Sequence, residues 1–244
     1  GRTHPVQALA GMTLDVQPGE VIALIGPNDC GKGTLLRVIA GLIPPDGGSV
    51  AIGDARVTGP DPRVGFVFQE PRLLPWLTAE QNVRLPMRFA GWPRTRQTAR
   101  SDDLLGLVGL REFAAARPTQ LGGGTRRRVA IARALALEPG LLLLDEPFSA
   151  LHALTRERFN EELHQLWDRT RTTIVVVTHS IPEAVFLADR VIVLSPRPGR
   201  VVADVRVELP RPRAIAQLDS AVVSATAAEI RALSVLGAQA VGMS

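Results

Sequence analysis

Short runs of apolar residues alternate along the chain with longer segments in which apolar positions recur every three or four residues. The first clear run is Val21–Ile25, bounded by Gly19 and Gly26, and an apolar helical pattern follows from Leu35. Short runs bounded by glycine are typical of buried strands, and the longer period is typical of helices. The sequence therefore predicts a strand, a glycine-rich loop and a helix in this region.

The same alternation continues to about residue 194 and predicts an α/β fold, because strands that alternate with helices form a largely parallel sheet covered on both faces. An antiparallel β portion is predicted near the N-terminus. The predicted strands are Met12–Val16, Val21–Ile25, Ser49–Ile52, Val64–Phe68, Leu141–Leu144, Thr173–Val177 and Val191–Leu194. The predicted later helices are Ala79–Phe89, about 96–108, about 154–169, Pro182–Ala188 and 214–240.

Strand patterns stop between residues 75 and 121, which indicates an inserted helical subdomain. Residues 1–74 and 122–210 are then the two parts of the α/β core. The proline- and arginine-rich segment 196–213 is predicted as an edge strand or a linker, and 211–244 as a helical extension.

Composition narrows the class of protein. Of the 244 residues, 45% are apolar and 21% charged, and no apolar stretch approaches the ~20 residues that span a bilayer. There is no secretory signal pattern. The single cysteine, Cys30, excludes an internal disulfide and fits a reducing compartment. A net charge of +4 gives little support for nucleic-acid binding. Because the chain begins at Gly1 without methionine, we expect an N-terminal truncation.

The loop after the first buried strand fits a phosphate-binding pattern. Gly26, Gly31 and Lys32 satisfy G-x-x-x-x-G-K-[ST], and Gly33 departs from its last position. A strand, a glycine loop and a helix N-terminus together present backbone amides to an anion. The alternative is a tight strand-to-helix turn with a surface lysine. The candidate phosphate-binding residues are Gly26, Pro27, Asn28, Asp29, Cys30, Gly31, Lys32, Gly33 and Thr34.

Lys32 is the only lysine in the chain. Arginine replaces lysine well on a solvated surface, but its planar guanidinium does not replace a compact ammonium between phosphates. The position of the one lysine therefore favours the phosphate interpretation.

Polar residues with catalytic chemistry follow three other predicted strands. Leu141–Leu144 leads into Asp145 and Glu146, Thr173–Val177 leads to His179, and Val64–Phe68 leads to Gln69. Open α/β sheets bind ligands at this edge. Asp145 is predicted to hold Mg²⁺, Glu146 to orient or deprotonate an attacking water, His179 to contact a γ-phosphate, and Gln69 to reach the metal or the water.

A second anion-receptive helix N-terminus is predicted at Gln120–Leu135, where Gly122, Gly123 and Gly124 open an apolar helix. Two phosphate-binding helix ends in one chain suggest a nucleotide held between two copies.

The order of these motifs resembles the nucleotide-binding subunit of an ABC transporter, over about residues 6–210. Segments 69–83, 145–157 and 183–202 resemble its nitrate/sulfonate/taurine importer branch. The resemblance implies a P-loop NTPase fold of the RecA-like type, with ATP and Mg²⁺ as cofactors.

The resemblance also implies roles and partners. Lys32 and the amides of Gly31–Thr34 bind phosphates, Asp145 and Gln69 serve Mg²⁺ and water, Glu146 is the general base and His179 senses the γ-phosphate. Gly122–Thr125 caps the nucleotide of the opposite subunit in a homodimer, and Leu73–Trp76 docks a permease subunit at the cytoplasmic face of the inner membrane. Simple packing within the helical subdomain is the alternative for Trp76. A solute-binding protein is an indirect partner, and no nucleic acid is expected.

Four positions depart from the family pattern. Gly33 lacks the hydroxyl that ligates Mg²⁺, Asp29 replaces a glycine, Gly122 replaces a serine, and His152 replaces an aspartate at the dimer interface. The adenine-stacking aromatic residue is missing near residue 3. These departures leave a second hypothesis open, a cassette with impaired catalysis that acts as a nucleotide sensor or structural partner. A cassette acting on DNA or ribosomes is disfavoured, because the chain has neither a long coiled-coil insertion nor a tandem cassette.

Overall fold

The computed structural model describes residues 6–148 and 153–242. The chain divides into two compact units, one formed by Gly1–Asp61 with Ile174–Ser244 and the other by Pro62–Thr173. The finer four-part division predicted from the sequence stays a prediction. His152 and the residues near position 3 lie outside the described residues.

The described residues contain eight strands and seven α-helices, and strands alternate with helices from residue 141 to residue 194. The strands are β1 (Val21–Ile25), β2 (Ala51–Ile52), β3 (Ala55–Arg56), β4 (Val64–Val67), β5 (Leu141–Asp145), β6 (Thr173–Val177), β7 (Arg190–Leu194) and β8 (Val201–Arg206). The helices are α1 (Lys32–Ile39), α2 (Ala79–Phe89), α3 (Arg94–Leu107), α4 (Gly123–Ala134), α5 (Ala153–Thr170), α6 (Ile181–Leu187) and α7 (Ala221–Gly242).

In the first unit, β1 lies between β6 and β7 and is parallel to both, and β8 pairs antiparallel with β7. All five residues of β1 are buried, because a central parallel strand is covered on both faces. The predicted α/β fold with a largely parallel sheet is confirmed, and the segment 196–213 supplies the antiparallel edge strand β8.

The predicted strand Met12–Val16 is wrong. Its side chains alternate as in a strand, since Met12, Leu14 and Val16 are half-buried and Thr13 and Asp15 are exposed. Residues 12–16 nevertheless pair with no strand within 6–148 or 153–242. Alternation gives an extended chain, but a strand also needs a partner for its backbone hydrogen bonds. The antiparallel portion near the N-terminus is instead the pair β2–β3.

In the second unit, β4 and β5 are parallel, in a register that runs from Val64 opposite Leu141 to Val67 opposite Leu144. Their carboxyl ends therefore lie side by side. The predicted helix Ala79–Phe89 is α2, and its start is fixed by a capping box in which Thr78 accepts from Gln81 N and the Gln81 side chain accepts from Thr78 N.

Helix α6 is fixed at its C-terminal end by a buried arginine. Arg213 Nη1 donates to the carbonyls of Phe186 at 2.8 Å and Ala188 at 2.9 Å, and Arg213 Nε donates to Leu209 O at 3.1 Å. Burial, with Arg211 nearby, lowers the pKa of Arg213 to about 10, so the side chain stays charged at neutral pH. A charged donor at a helix C-terminus satisfies carbonyls that the helix itself leaves without donors.

We expect Arg213→Met to lower the free energy of unfolding by about 2 kcal/mol, because it leaves buried carbonyls without donors. Urea unfolding at neutral pH measures the change. The matched control is Arg206→Met, where an exposed arginine at the end of β8 is replaced and a change below about 0.5 kcal/mol is expected. Equal effects of the two substitutions would contradict the role of Arg213.

Candidate functional site

The loop between β1 and α1 turns sharply at Gly31. Its φ is +98°, and an added Cβ would lie 2.7 Å from Ala8 O, so both the backbone angle and the close approach require glycine. The first helical hydrogen bond runs from Leu35 N to Gly31 O, at 2.8 Å. The amides of residues 32–34 therefore precede the hydrogen-bond ladder of α1 and form the anion-receptive end of the helix.

Lys32 folds its side chain into this loop. Its Nζ donates to Gly26 O at 2.8 Å and to Pro27 O at 2.6 Å, and the residue is only 5% exposed. The alternative of a surface lysine is therefore wrong. The ammonium group of the chain's one lysine therefore lies inside the loop whose sequence matches the phosphate-binding pattern.

Two departures from that pattern fall in the same loop and helix. Asp29 is exposed and has a φ of +59°, a left-handed angle that aspartate adopts more readily than most residues but that suits glycine best. Gly33 is the second residue of α1 and supplies no side chain to the first turn. Cys30 is fully buried between them.

His179 follows β6, the strand paired with β1 in the first unit. Thr178 N donates to Leu24 O at 3.3 Å, and Thr178 Oγ1 donates to Glu183 Oε2 at 2.7 Å. Glu183 N in turn donates to Ser180 Oγ at 3.4 Å. These bonds fix the backbone on both sides of His179, whose side chain is exposed. The first unit thus brings His179 and the Gly26–Thr34 loop to the same edge of its sheet.

The second unit brings Gln69 and Glu146 together. Gln69 Nε2 donates to Glu146 Oε2 at 2.9 Å, and the two residues follow the adjacent parallel strands β4 and β5. Glu146 has a φ of +46°, a strained angle for a side chain of this size. Strain of this kind clusters at functional sites, so the turn after β5 is a candidate catalytic position. Asp145, one residue earlier, is buried.

The second unit offers oxygen ligands suited to Mg²⁺, the carboxylate of Asp145 and the amide oxygen of Gln69. No cluster of three or more His, Cys, Asp or Glu side chains within residues 6–148 and 153–242 is arranged as a metal site. Mg²⁺ in phosphate-binding enzymes uses one or two carboxylates plus substrate phosphates and water, so this donor set fits. Gly33 adds no ligand.

The glycines that open α4 leave its N-terminus uncovered. Gly122 is the N-cap, without a side-chain cap, and an added Cβ at Gly122 or Gly123 would meet no atom within 4 Å. Backbone amides at this end are therefore accessible to a ligand from outside the chain.

The segment Leu73–Trp76 is organised by Asn82, a fully buried residue of α2. Asn82 Oδ1 accepts from Leu74 N at 2.8 Å, and Asn82 Nδ2 donates to Thr78 O at 3.0 Å. Trp76, at the end of the segment, is 66% exposed. The packing alternative for Trp76 is thus disfavoured, because its side chain lies mostly in solvent.

Sequence reasoning missed Asn82 and two arginines of α4, Arg127 and Arg133. The side chains of these arginines donate to backbone carbonyls of the loop that follows β4. An asparagine on the apolar face of α2, in line with Ala79, Val83 and Met87, was a usable indication for Asn82. The arginines gave no such indication, because each stands in a sequence already rich in arginine.

Residues 9–149 match the family described as ABC transporter. The aliphatic sulfonates import ATP-binding protein SsuB 1 of Xanthomonas axonopodis pv. citri is 49% identical over 208 residues, covering 85% of this chain and 82% of that protein. The taurine import ATP-binding protein TauB of Rhizobium johnstonii is 48% identical over 203 residues, covering 83% of this chain and 77% of that protein.

Solved structures of ATP-binding cassettes are also similar to this chain. The dimeric, post-hydrolysis ATP-binding cassette MJ0796 bound to ADP and Pi superposes with a TM-score of 0.73 at 35% identity, covering 83% of this chain and 92% of that one. CbiO1 from Clostridium perfringens, part of the ABC transporter complex cbiONQ, gives a TM-score of 0.73 at 28% identity, covering 82% of each chain. The chain therefore belongs to the ABC transporter family, and its fold is that of the P-loop ATP-binding cassettes. Every helix within residues 6–148 and 153–242 is too short or too polar to cross a bilayer.

Proposed function

We propose that this chain is the ATP-binding and ATP-hydrolysing subunit of an importer for a small sulfonate such as taurine. The observation that carries the hydrolytic part is the Gln69–Glu146 hydrogen bond at the carboxyl ends of β4 and β5. The solute class rests on the sulfonate and taurine importers to which the chain is similar.

The phosphate-binding groups in this proposal are those of the loop after β1 and His179. Lys32 and the amides of Gly31–Thr34 bind the β- and γ-phosphates of ATP, and His179 contacts the γ-phosphate. The support is the anion-receptive end of α1 and the buried ammonium within its loop. Gly26, Pro27, Asn28, Asp29 and Cys30 form the rest of the loop.

The groups that act on water in this proposal are those at the carboxyl ends of β4 and β5. Glu146 accepts the proton of the attacking water, and Gln69 holds the carboxylate in place and orients the water. Asp145 and Gln69 would hold Mg²⁺, which when bound would neutralise negative charge on the phosphates. The donor set described above supports these roles.

Two copies of the chain and a permease complete the proposed assembly. Gly122, Gly123 and Gly124 present the amides at the start of α4 to the nucleotide bound by the other copy, and Leu73–Trp76 docks on the permease. The dimeric cassette MJ0796 supports the first of these partners, and exposed Trp76 supports the second. We place the chain at the cytoplasmic face of the membrane, with a solute-binding protein as an indirect partner.

Calorimetric titration of the purified chain with Mg·ATP tests the proposal directly. We expect Lys32→Met to weaken binding by about ten-fold or more, because a charge-assisted contact to phosphate is lost. Arg37→Met, near the other end of α1, is the matched control and should leave the affinity unchanged. An intact wild-type protein that gives no heat with Mg·ATP would overturn the proposal, as would equal affinities for wild type and Lys32→Met.

A second candidate function, a cassette with impaired catalysis, is favoured by two departures in the phosphate-binding loop and the helix that follows it. Gly33 places no hydroxyl in the first turn of α1, and exposed Asp29 adds a carboxylate to the phosphate-binding loop. Such a chain would bind nucleotide and act as a sensor or structural partner. The rate of hydrolysis separates the two candidates.

A further inference from the structure

Two arginines of α4 hold the loop that follows β4. Arg127 Nη2 donates to Gln69 O at 2.8 Å. Arg133 Nη2 donates to Pro71 O at 2.8 Å, and Arg133 Nη1 donates to Arg72 O at 2.9 Å. One helix therefore binds three backbone carbonyls within four consecutive residues. Backbone carbonyls held at three points keep the loop and α4 in one fixed arrangement.

Arg127 makes this contact at an energetic cost. It is only 2% exposed, and its Nε and Nη1 have no hydrogen-bond partner within the described residues. Desolvation lowers the pKa of Arg127. A buried guanidinium with one neutral acceptor destabilises a fold relative to an apolar side chain of similar length. Stability alone therefore does not account for an arginine at this position.

Arg127 binds the backbone of a residue whose side chain contacts Glu146, the proposed general base. The carbonyl it binds belongs to Gln69, and the side chain of the same residue donates to Glu146 Oε2 at 2.9 Å. The Gln69 side chain is exposed, so packing does not fix its position. Its direction depends on where the backbone of residue 69 is held, and Arg127 holds that backbone.

We propose that Arg127 is a positioning residue for hydrolysis, which sets Gln69 against Glu146 by binding the Gln69 carbonyl, with Arg133 fixing Pro71 and Arg72. This inference rests on the proposed function. A positioning residue of this kind raises the rate of the chemical step, because its hydrogen bond holds the backbone of Gln69, which orients the attacking water. Nucleotide affinity should change little, because the proposed phosphate-binding groups are Lys32 and the amides of Gly31–Thr34.

Steady-state hydrolysis by Arg127→Met tests the inference. We expect kcat to fall about ten-fold, with KM for ATP within about two-fold of wild type, because one charge-assisted hydrogen bond to the loop is lost. The melting temperature should stay the same or rise, since the substitution removes the unpartnered nitrogens. Arg127→Lys keeps a donor and should recover kcat to within about three-fold of wild type.

Arg128→Met is the matched control. Arg128, the next residue of α4, forms an ion pair with Glu162 at 2.7 Å, and within the described residues its side chain has no hydrogen bond to residues 69–74. This variant should therefore keep kcat while losing some stability. If Arg127→Met kept the wild-type kcat, or if both Arg127 variants lost stability and activity together, the positioning role would be refuted.

Hydrogen exchange separates failure of this inference from failure of the proposed function. The backbone amides of residues 69, 70 and 72–74 should exchange faster in Arg127→Met than in wild type and Arg128→Met, without any nucleotide present. If the wild type hydrolysed ATP no faster than Glu146→Gln, the proposed function would fail, and the exchange rates would still decide whether Arg127 holds the loop. Unchanged exchange would refute that contact.

Discussion

Replacing Glu146 with glutamine is expected to slow steady-state hydrolysis of Mg·ATP by about 10²- to 10⁴-fold, the range found when a general base is removed. The substitution keeps the size of the side chain and removes its basicity. The affinity for Mg·ATP should change little, because Glu146 binds water in the proposed mechanism and not the phosphates. Phosphate release by the purified chain under saturating ATP measures the rate, and calorimetry measures the affinity.

The geometry around Glu146 indicates that glutamine at this position would keep the local structure and remove only the basic carboxylate. Gln69 Nε2 donates to Glu146 Oε2 at 2.9 Å, and the amide oxygen of a glutamine accepts the same bond. Residue 146 has a backbone φ of +46°. Glutamate and glutamine are both unbranched at Cβ, so the substitution should not alter the strain at this angle. A slower hydrolysis by Glu146→Gln would then be caused by the loss of proton transfer to residue 146 and not by a rearrangement of the turn after β5.

The control for this prediction is Glu138→Gln, an equal change of charge at a half-exposed residue between α4 and β5. Its rate should stay within about two-fold of wild type, as expected for a substitution away from the site. If wild type and Glu146→Gln hydrolysed ATP at indistinguishable rates, the chain would not be an ATPase, and the impaired cassette would be the better description.

The fold was predictable from the sequence wherever an element is fixed by its own residues. β1 is a run of five apolar residues between glycines, and α2 has a capping box at Thr78 and Gln81 that sets its first turn. Met12–Val16 shows the limit of this reasoning. Alternating side chains specify an extended backbone, but whether a partner strand lies beside it depends on distant residues.

The candidate site likewise contains residues whose positions could be predicted from the sequence and contacts that could not. The positions of Asp145, Glu146 and His179 were predictable, because they lie at or just after the carboxyl ends of β5 and β6, and parallel strands carry their ligands at that end. The position of Lys32 was predictable from the glycine pattern of the loop between β1 and α1. The contacts of Arg127 with the loop were not predictable, since the pairing of a helix side chain with a backbone carbonyl 58 residues away leaves no periodic pattern in the sequence. The structure was needed to distinguish this arginine from its neighbours Arg126 and Arg128.

The departures in the phosphate-binding loop lead to the second large prediction. Combining Gly33→Ser with Asp29→Gly is expected to raise the rate of hydrolysis by about ten- to a hundred-fold, because a lost hydrogen bond or ligand at a charged group costs about 1.5–3 kcal/mol. The serine supplies the hydroxyl that the family pattern places on Mg²⁺. The glycine removes a negative charge beside the phosphates.

Both changes suit the backbone. Residue 33 lies in the first turn of α1, where serine is a better helix former than glycine, and residue 29 has a φ of +59°, which glycine adopts without strain. Thr34 cannot supply the missing hydroxyl, because successive helical residues point about 100° apart. The gain should therefore appear as faster hydrolysis with no loss of stability, measured by phosphate release and by thermal unfolding.

The turn after α1 offers a control with the same chemistry. Asp46→Gly with Gly47→Ser makes the same change of charge and adds the same hydroxyl in an exposed segment, where an added Cβ at Gly47 meets no atom within 4 Å. This pair should leave the rate unchanged. A double variant at residues 29 and 33 no faster than wild type would mean that the loop tolerates both departures, and hydrolysis by the natural chain would then need neither the hydroxyl nor the missing glycine.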